Sequence, residues 1–345
     1  MYDSSKINRQ LQQIADFLIN KADFLGNVGL FNGKTGVALF LFHLGRETGN
    51  KAYEEFAGEL TDRICESLSN PDLPFSYANG LAGIGTGIDY MIKQKFIDAD
   101  SDVFLEDFDS IIYQLIQNFL PSMSEINMEI MGFGRYLVER YSKTNHEILF
   151  AFINALSCPY ITYDDIMSAI HFLSSVVPLN VAQEKAKAYL NYAVNKLETM
   201  VHEDVHFGNF PNGGFHPLIA AVTLVMASEK AGNGIYAEKA NQYLQLYELP
   251  FRDYLSNKNQ TDALKWSYLY RYLYNKLGDP VFLEQSEDRL NIALTKDYQR
   301  PASVGLLDGY AGAGMYLLSL IGHLDGKWLD IIPCYISKSN SNVIR

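Results

Sequence analysis

Cysteine is scarce in this chain of 345 residues: there are three, Cys65, Cys158 and Cys334, odd in number and far apart. That excludes a disulfide framework and makes a reducing compartment the expectation. Basic charge is short as well. Lysine and arginine total 28 against 40 acidic residues, for a formal charge of −12. Sequence-independent nucleic-acid binders need a basic footprint, so that class is excluded. An acidic surface favours cationic or neutral ligands instead. No stretch approaches the ~18 uninterrupted apolar residues of a membrane span. The opening MYDSSKINRQ lacks the basic-then-apolar pattern of a signal peptide. A convincing strand pattern is missing too. These absences predict a cytoplasmic, all-α globular protein with no membrane span and no nucleic-acid partner.

What the chain does have is a 48% apolar composition, enough for a large core, and glycine placed in a repeat. Asn/Asp-Gly-x-x-Gly occurs at Asn32-Gly33-Lys34-Thr35-Gly36, at Asn79-Gly80-Leu81-Ala82-Gly83 and at Asp308-Gly309-Tyr310-Ala311-Gly312. Gly29-Leu30 and Gly305-Leu306 extend the first and last copies. A fourth, Asn212-Gly213-Gly214-Phe215-His216, carries histidine at the second glycine place, and Gly132-Phe133-Gly134 is a worn fifth. An apolar run follows each, such as VALFLFHL from Val37 and MYLLSLI from Met315. The motif reads as a helix start, with Asn or Asp capping free backbone N–H groups. The run after it reads as a helix buried on all sides.

Between these runs lie one-sided helices. In KAYEEFAGELTDRICESLS the residues Tyr53, Phe56, Ala57, Leu60, Ile64 and Leu68 share a stripe. Gly49-Asn50, Gly232-Asn233-Gly234 and Gly278-Asp279-Pro280 mark the turns, glycine ending one helix and a polar residue or proline opening the next. The unit is a buried helix, a turn and an amphipathic helix, recurring every ~45–55 residues. The first and last motifs match each other best and neither end carries a polar capping repeat, so closure into a toroid is expected over an open solenoid. The prediction is a single domain over 1–345, an α/α toroid with six or seven inner helices and an extra helical insertion around 145–200.

These motifs, in this order, resemble the lanthionine synthetase C-like family. GLFNGKTGVALFLF, YANGLAGIGTG and GLLDGYAGAGMYLLSL resemble its first, second and last repeats, MGFGRYLVERY its third and FPNGGFHPLIAA its fourth. The resemblance implies an α/α toroid with inner helices around a cavity. It also implies zinc, held in the family's cyclases by two cysteines and a histidine, to convert a substrate cysteine to thiolate. A free thiol near pKa 8.5 is mostly protonated at neutral pH, which is why the chemistry uses a metal. One ligand sits in a Trp-Cys-Tyr-Gly motif; here the match is Trp266-Ser267-Tyr268-Leu269. The other two form a Cys-His dipeptide, which occurs nowhere in this sequence. The family's zinc site is therefore expected to be absent, and with it the usual lanthionine-forming activity. The family's acidic residue ahead of the third repeat aligns with Glu125.

Other patterns have simpler explanations. Gly33-Lys34-Thr35 suggests a phosphate loop, but Gly29 leaves three residues before it where four are needed, and no strand precedes it. Gly83-Ile84-Gly85-Thr86-Gly87 lacks the strand of a dinucleotide site. His202 and His206 are four apart and His216 follows, a set that with an acid would suit zinc, iron or manganese. The glycine and proline after them favour a loop and solvated or capping histidines. Tyr77, Trp266, Tyr268 and Tyr310 fall at the repeat motifs, where they either pack the core or line one mouth. Asn32 and Asp308 are expected to be helix caps.

The reading that follows is a non-catalytic scaffold, a pseudoenzyme without cofactor, that binds a peptide or partner protein during maturation of a ribosomally made peptide. Glu125, His206, His216, Trp266, Tyr268 and Asp308 are its candidate contacts. Two enzymatic alternatives remain open. One is a carbohydrate-active hydrolase or lyase using paired carboxylates among Asp89, Glu125, Asp262 and Asp308. The other is a thiol–ene cyclase with a nonstandard metal site.

Overall fold

A computed structural model describes residues 4–68, 72–123, 128–142, 145–156, 162–207, 217–246, 260–295, 303–307, 309–322, 324 and 326–332, apart from the side chains of 122, 128, 204–207, 246 and 260. All regular structure among them is helical. The helices are α1 (Ser4–Ala22), α2 (Lys34–Thr48), α3 (Lys51–Ser67), α4 (Leu81–Lys93), α5 (Ser101–Phe104), α6 (Glu106–Phe119), α7 (Met128–Glu139) and α8 (His146–Ala155). They continue with α9 (Tyr163–Val176), α10 (Gln183–Phe207), α11 (Pro217–Ala231), α12 (Gly234–Leu246), α13 (Gln260–Leu277), α14 (Pro280–Thr295) and α15 (Tyr310–Leu320).

The chain divides into two compact units, Met1–Leu115 with Asn257–Ile332, and Ile116–Ser256 with Pro333–Arg345. In the first, α2 pairs with α3 and α13 with α14, while α15 packs against α1, α2 and α13. In the second, α9 lies against α7, α10 and α11, and α11 pairs with α12. The helices buried round most of their circumference are α2, α4, α7, α9, α11, α13 and α15, seven among the described residues. Val37, Leu39, Phe40 and Leu41 of α2 are fully buried. Each such side chain contributes up to about 1.5–3 kcal/mol. In the region around 145–200, α9 is buried from Ile166 to Val176, and the one-sided α10 follows it.

The predicted turns form as the residue types require. Gly49, Gly232 and Gly278 take left-handed φ values of 66°, 65° and 76°. After them Asn50, Asn233 and Asp279 accept from Ala52, Ile235 and Val281 backbone N–H groups, opening α3, α12 and α14.

The repeat motifs act differently from their expected capping role. Gly33, Gly80 and Gly309 occupy the N-cap positions of α2, α4 and α15 without a side-chain cap. Asn32 is turned away from the helix start: Asn32 and Asn27 both donate to the Asn79 side-chain oxygen, at 3.2 and 3.0 Å. Backbone bonds run in the same direction, from Leu306 N to Phe31 O at 2.7 Å and from Phe31 N to Ala78 O at 2.9 Å. The last, first and second motifs thus lie side by side. Glycine permits the approach, since a Cβ at Gly29 would sit 2.3 Å from Asn79 Cα and one at Gly305 2.3 Å from Phe31 O.

Candidate functional site

Helix α13 carries the motif in which the resemblance places a zinc ligand. Lys265, Trp266, Ser267 and Tyr268 are all buried there. The Ser267 hydroxyl donates to the Ser286 carbonyl at 2.7 Å and lies 3.3 Å from the Ser286 hydroxyl, so it faces α14. Tyr268 faces elsewhere. Its ring lies 5.8 Å from Tyr316 of α15 and 6.2 Å from Trp328, whose indole N–H donates to Ser319. Trp266 has the Lys265 ammonium 5.2 Å from its ring centre, and that ammonium lies 3.7 Å from Asp262.

Of the expected contacts, the structure brings Tyr268 into this aromatic group and places Trp266 two residues before it on the same helix. Glu125, His216 and Asp308 lie outside the described residues, and so does the His206 side chain. The backbone of His206 belongs to α10, together with an exposed His202. The loop expected for this histidine pair is thus a helix, which runs to Phe207 before the glycine that follows. Tyr77 and Tyr310 belong to the core: Tyr77 donates to Ile331 O at 2.7 Å, and Tyr310 packs 4.1 Å from Phe17.

Asp89, one of the candidate carboxylates, is buried and held by Lys93 at 2.6 Å and Ser101 at 2.5 Å, joining α4 to α5. A buried pair the sequence did not single out is His43 and Tyr90, linked at 3.0 Å between α2 and α4. The signal for it was a histidine inside an otherwise apolar run. Asp164, in the first turn of α9, has its carboxyl pushed up to about 6 by desolvation and by the charge of Asp165.

These side chains can be tested against the zinc that the resemblance implies. Its donor set is two thiolates and an imidazole. Ser267 offers a hydroxyl already engaged with α14. Cys65 lies on α3, with its thiol pKa raised by burial and then by Asp62. Cys158 and Cys334 lie outside the described residues. Among the described residues no three His, Cys, Asp or Glu side chains converge on one point. The described residues do not fit that metal.

Residues 26–172 match the family model described as lanthionine synthetase C-like protein. Among solved structures the chain is similar to nisin cyclase, with a TM-score of 0.70 and 14% identity over 95% of this chain and 97% of that one. No curated protein matches the chain by sequence. Among the described residues no helix is long and apolar enough to cross a membrane. Residues 26–172 are thus similar to the lanthionine synthetase C-like family, and the all-α fold is that of nisin cyclase.

Proposed function

We propose that this chain is a peptide- or protein-binding scaffold in the maturation of a ribosomally made peptide, and that it does not close lanthionine rings by the zinc route of its family. The observation that carries this reading is Ser267, in the place of a ligating cysteine, with its hydroxyl committed to the Ser286 carbonyl. A serine hydroxyl there is no substitute for a thiolate, and the chain has no Cys-His dipeptide to complete the set. Ring closure needs a peptide cysteine held as thiolate beside a dehydrated serine or threonine. With no metal at that motif, the cysteine keeps its ordinary pKa near 8.5 and stays mostly protonated. Binding through Trp266 and Tyr268, with Glu125, His206, His216 and Asp308 as further contacts, is the function left to the site.

The test is to incubate the untagged protein with a dehydrated precursor peptide that keeps its cysteine thiols, with and without added zinc. Free thiols are counted by alkylation and mass spectrometry, and co-migration is read on gel filtration. The expected outcome is co-migration, with thiol loss no faster than in buffer. Zinc-dependent thiol loss overturns the non-catalytic reading, and failure to co-migrate overturns the peptide-binding one.

A further inference from the structure

Two cavities of about 320 and 650 Å3 open side by side on the first unit and share Cys65 and Phe104 as a common wall. The smaller lies between the end of α3 and helices α5–α6, walled by Leu68, Phe108 and Ile111. The larger lies between α3 and the chain leaving α4, over Phe96, with Glu54, Glu55 and Asp62 along its α3 side. Phe104 is 42% exposed and Ile111 49%, and neighbouring Val103 reaches 73%. Together the two cavities form one groove with an apolar floor.

Gly58 accounts for its depth. This glycine sits inside α3 and lines the larger cavity, and a Cβ built on it would meet nothing within 4 Å. Its φ is not positive. Neither packing nor backbone requires glycine here, although a mid-helix glycine costs roughly 0.5–1 kcal/mol against alanine. Its missing side chain leaves that part of the larger cavity's wall open.

The rim is acidic. Glu54, Glu55, Asp62 and Asp107 line the groove against two cations, Arg46 and Lys95. Arg46 is exposed and engaged locally: it donates to Gln94 O at 2.6 Å and covers the Phe96 ring at 3.8 Å. A second copy of this chain, itself at −12, would bring like charge to an acidic rim. An anionic lipid surface would do the same.

We propose that this groove docks a basic amphipathic segment of the partner. Two large apolar side chains enter the two cavities, and Lys or Arg side chains lie against Glu54, Glu55, Asp62 and Asp107. The inference rests on the scaffold reading for the identity of its partner, and the groove itself is tested without that partner. The probe is a fluorescein-labelled 18-residue peptide of leucine and lysine in amphipathic helical order, titrated against the full-length protein at low salt. Alkylation of Cys65 by N-ethylmaleimide, followed by mass spectrometry of its tryptic peptide, reports occupancy at the junction of the cavities.

The leucine–lysine peptide is expected to bind and to slow Cys65 alkylation at least fivefold. Gly58→Phe, which fills the larger cavity, and Glu55→Lys combined with Asp62→Lys should each weaken binding tenfold or more. The circular-dichroism spectrum and thermal midpoint of each variant control for folding. A leucine–glutamate peptide of the same pattern should not bind. Binding without protection of Cys65, or unchanged binding by Gly58→Phe, overturns the proposal. So does equal binding of the leucine–glutamate peptide, or self-association that shields Cys65 by itself. Ring closure in the precursor assay would remove the scaffold reading and leave this result untouched.

Discussion

Ser267 is fully buried on α13, and its hydroxyl holds the Ser286 carbonyl of α14 at 2.7 Å. Ser267→Ala removes one buried hydrogen bond and should lower stability by about 1 kcal/mol, read as a shift in urea midpoint. Ser267→Cys makes the motif look complete, yet the thiol would face α14 with no partner ligands. Zinc by plasma mass spectrometry is expected to stay far below one per chain, and stoichiometric zinc in that variant would show that the metal site is more nearly assembled than Ser267 indicates. Asp164 gives a pH test. Its folded pKa of about 6 exceeds the ordinary 3.8, so the folded state holds the proton more tightly than the unfolded one. Its contribution is fully present below pH 3.8 and is lost as pH rises through 6. Asp164→Asn should therefore stabilise the protein at pH 8, by up to about 1 kcal/mol after allowance for partial exposure, and show no gain at pH 3.5.

At the scale of the element, glycine acts in opposite senses. A Cβ at Gly83 would lie 1.8 Å from the Tyr77 carbonyl oxygen, which is backbone and cannot step aside. Gly83→Ala should cost at least about 1–3 kcal/mol as overpacking. Gly58→Ala meets open space and should stabilise by roughly 0.5–1 kcal/mol. Chemical denaturation of both variants checks the pair, and equal signs would refute this account of the repeat. Thr162 closes a capping box with Asp165 at the start of α9, and Thr162→Ala should cost about 1 kcal/mol. The turns after α2, α11 and α13 were legible because a glycine followed by Asn or Asp has one economical conformation there. The start of α9 carries no such signal, since that helix opens on Thr162 and Tyr163 with no glycine motif before it. Gly134 belongs to the same region: a Cβ on it would meet the Phe152 and Phe172 rings at 2.8 and 2.7 Å, a contact that spacing alone does not show.

For the molecule as a whole, charge sets the kinetics. At −12 the chain attracts basic segments from a distance, and the Debye length contracts from ~30 Å at 0.01 M salt to ~8 Å at 0.15 M. The association rate of the leucine–lysine peptide should fall about tenfold over that range, with a smaller change in dissociation, as stopped-flow fluorescence would read. A salt-independent rate would mean that apolar contact alone drives the encounter.

The sequence by itself determined the helical class, the alternation of buried and one-sided helices, the turns at Gly49, Gly232 and Gly278, and the loss of the Cys-His ligand pair. All of these are local: they depend on composition, on a period of 3.6 residues or on a dipeptide. Tertiary structure alone decided that Asn32 ties one motif to the next instead of capping its helix. It also decided that Ser267 turns toward α14, that Asp89 joins α4 to α5, and that Gly58 lines one cavity with Phe96 and Phe104. On a helix buried on every side, periodicity cannot say which neighbour a residue meets. That choice belongs to packing between segments far apart in the chain.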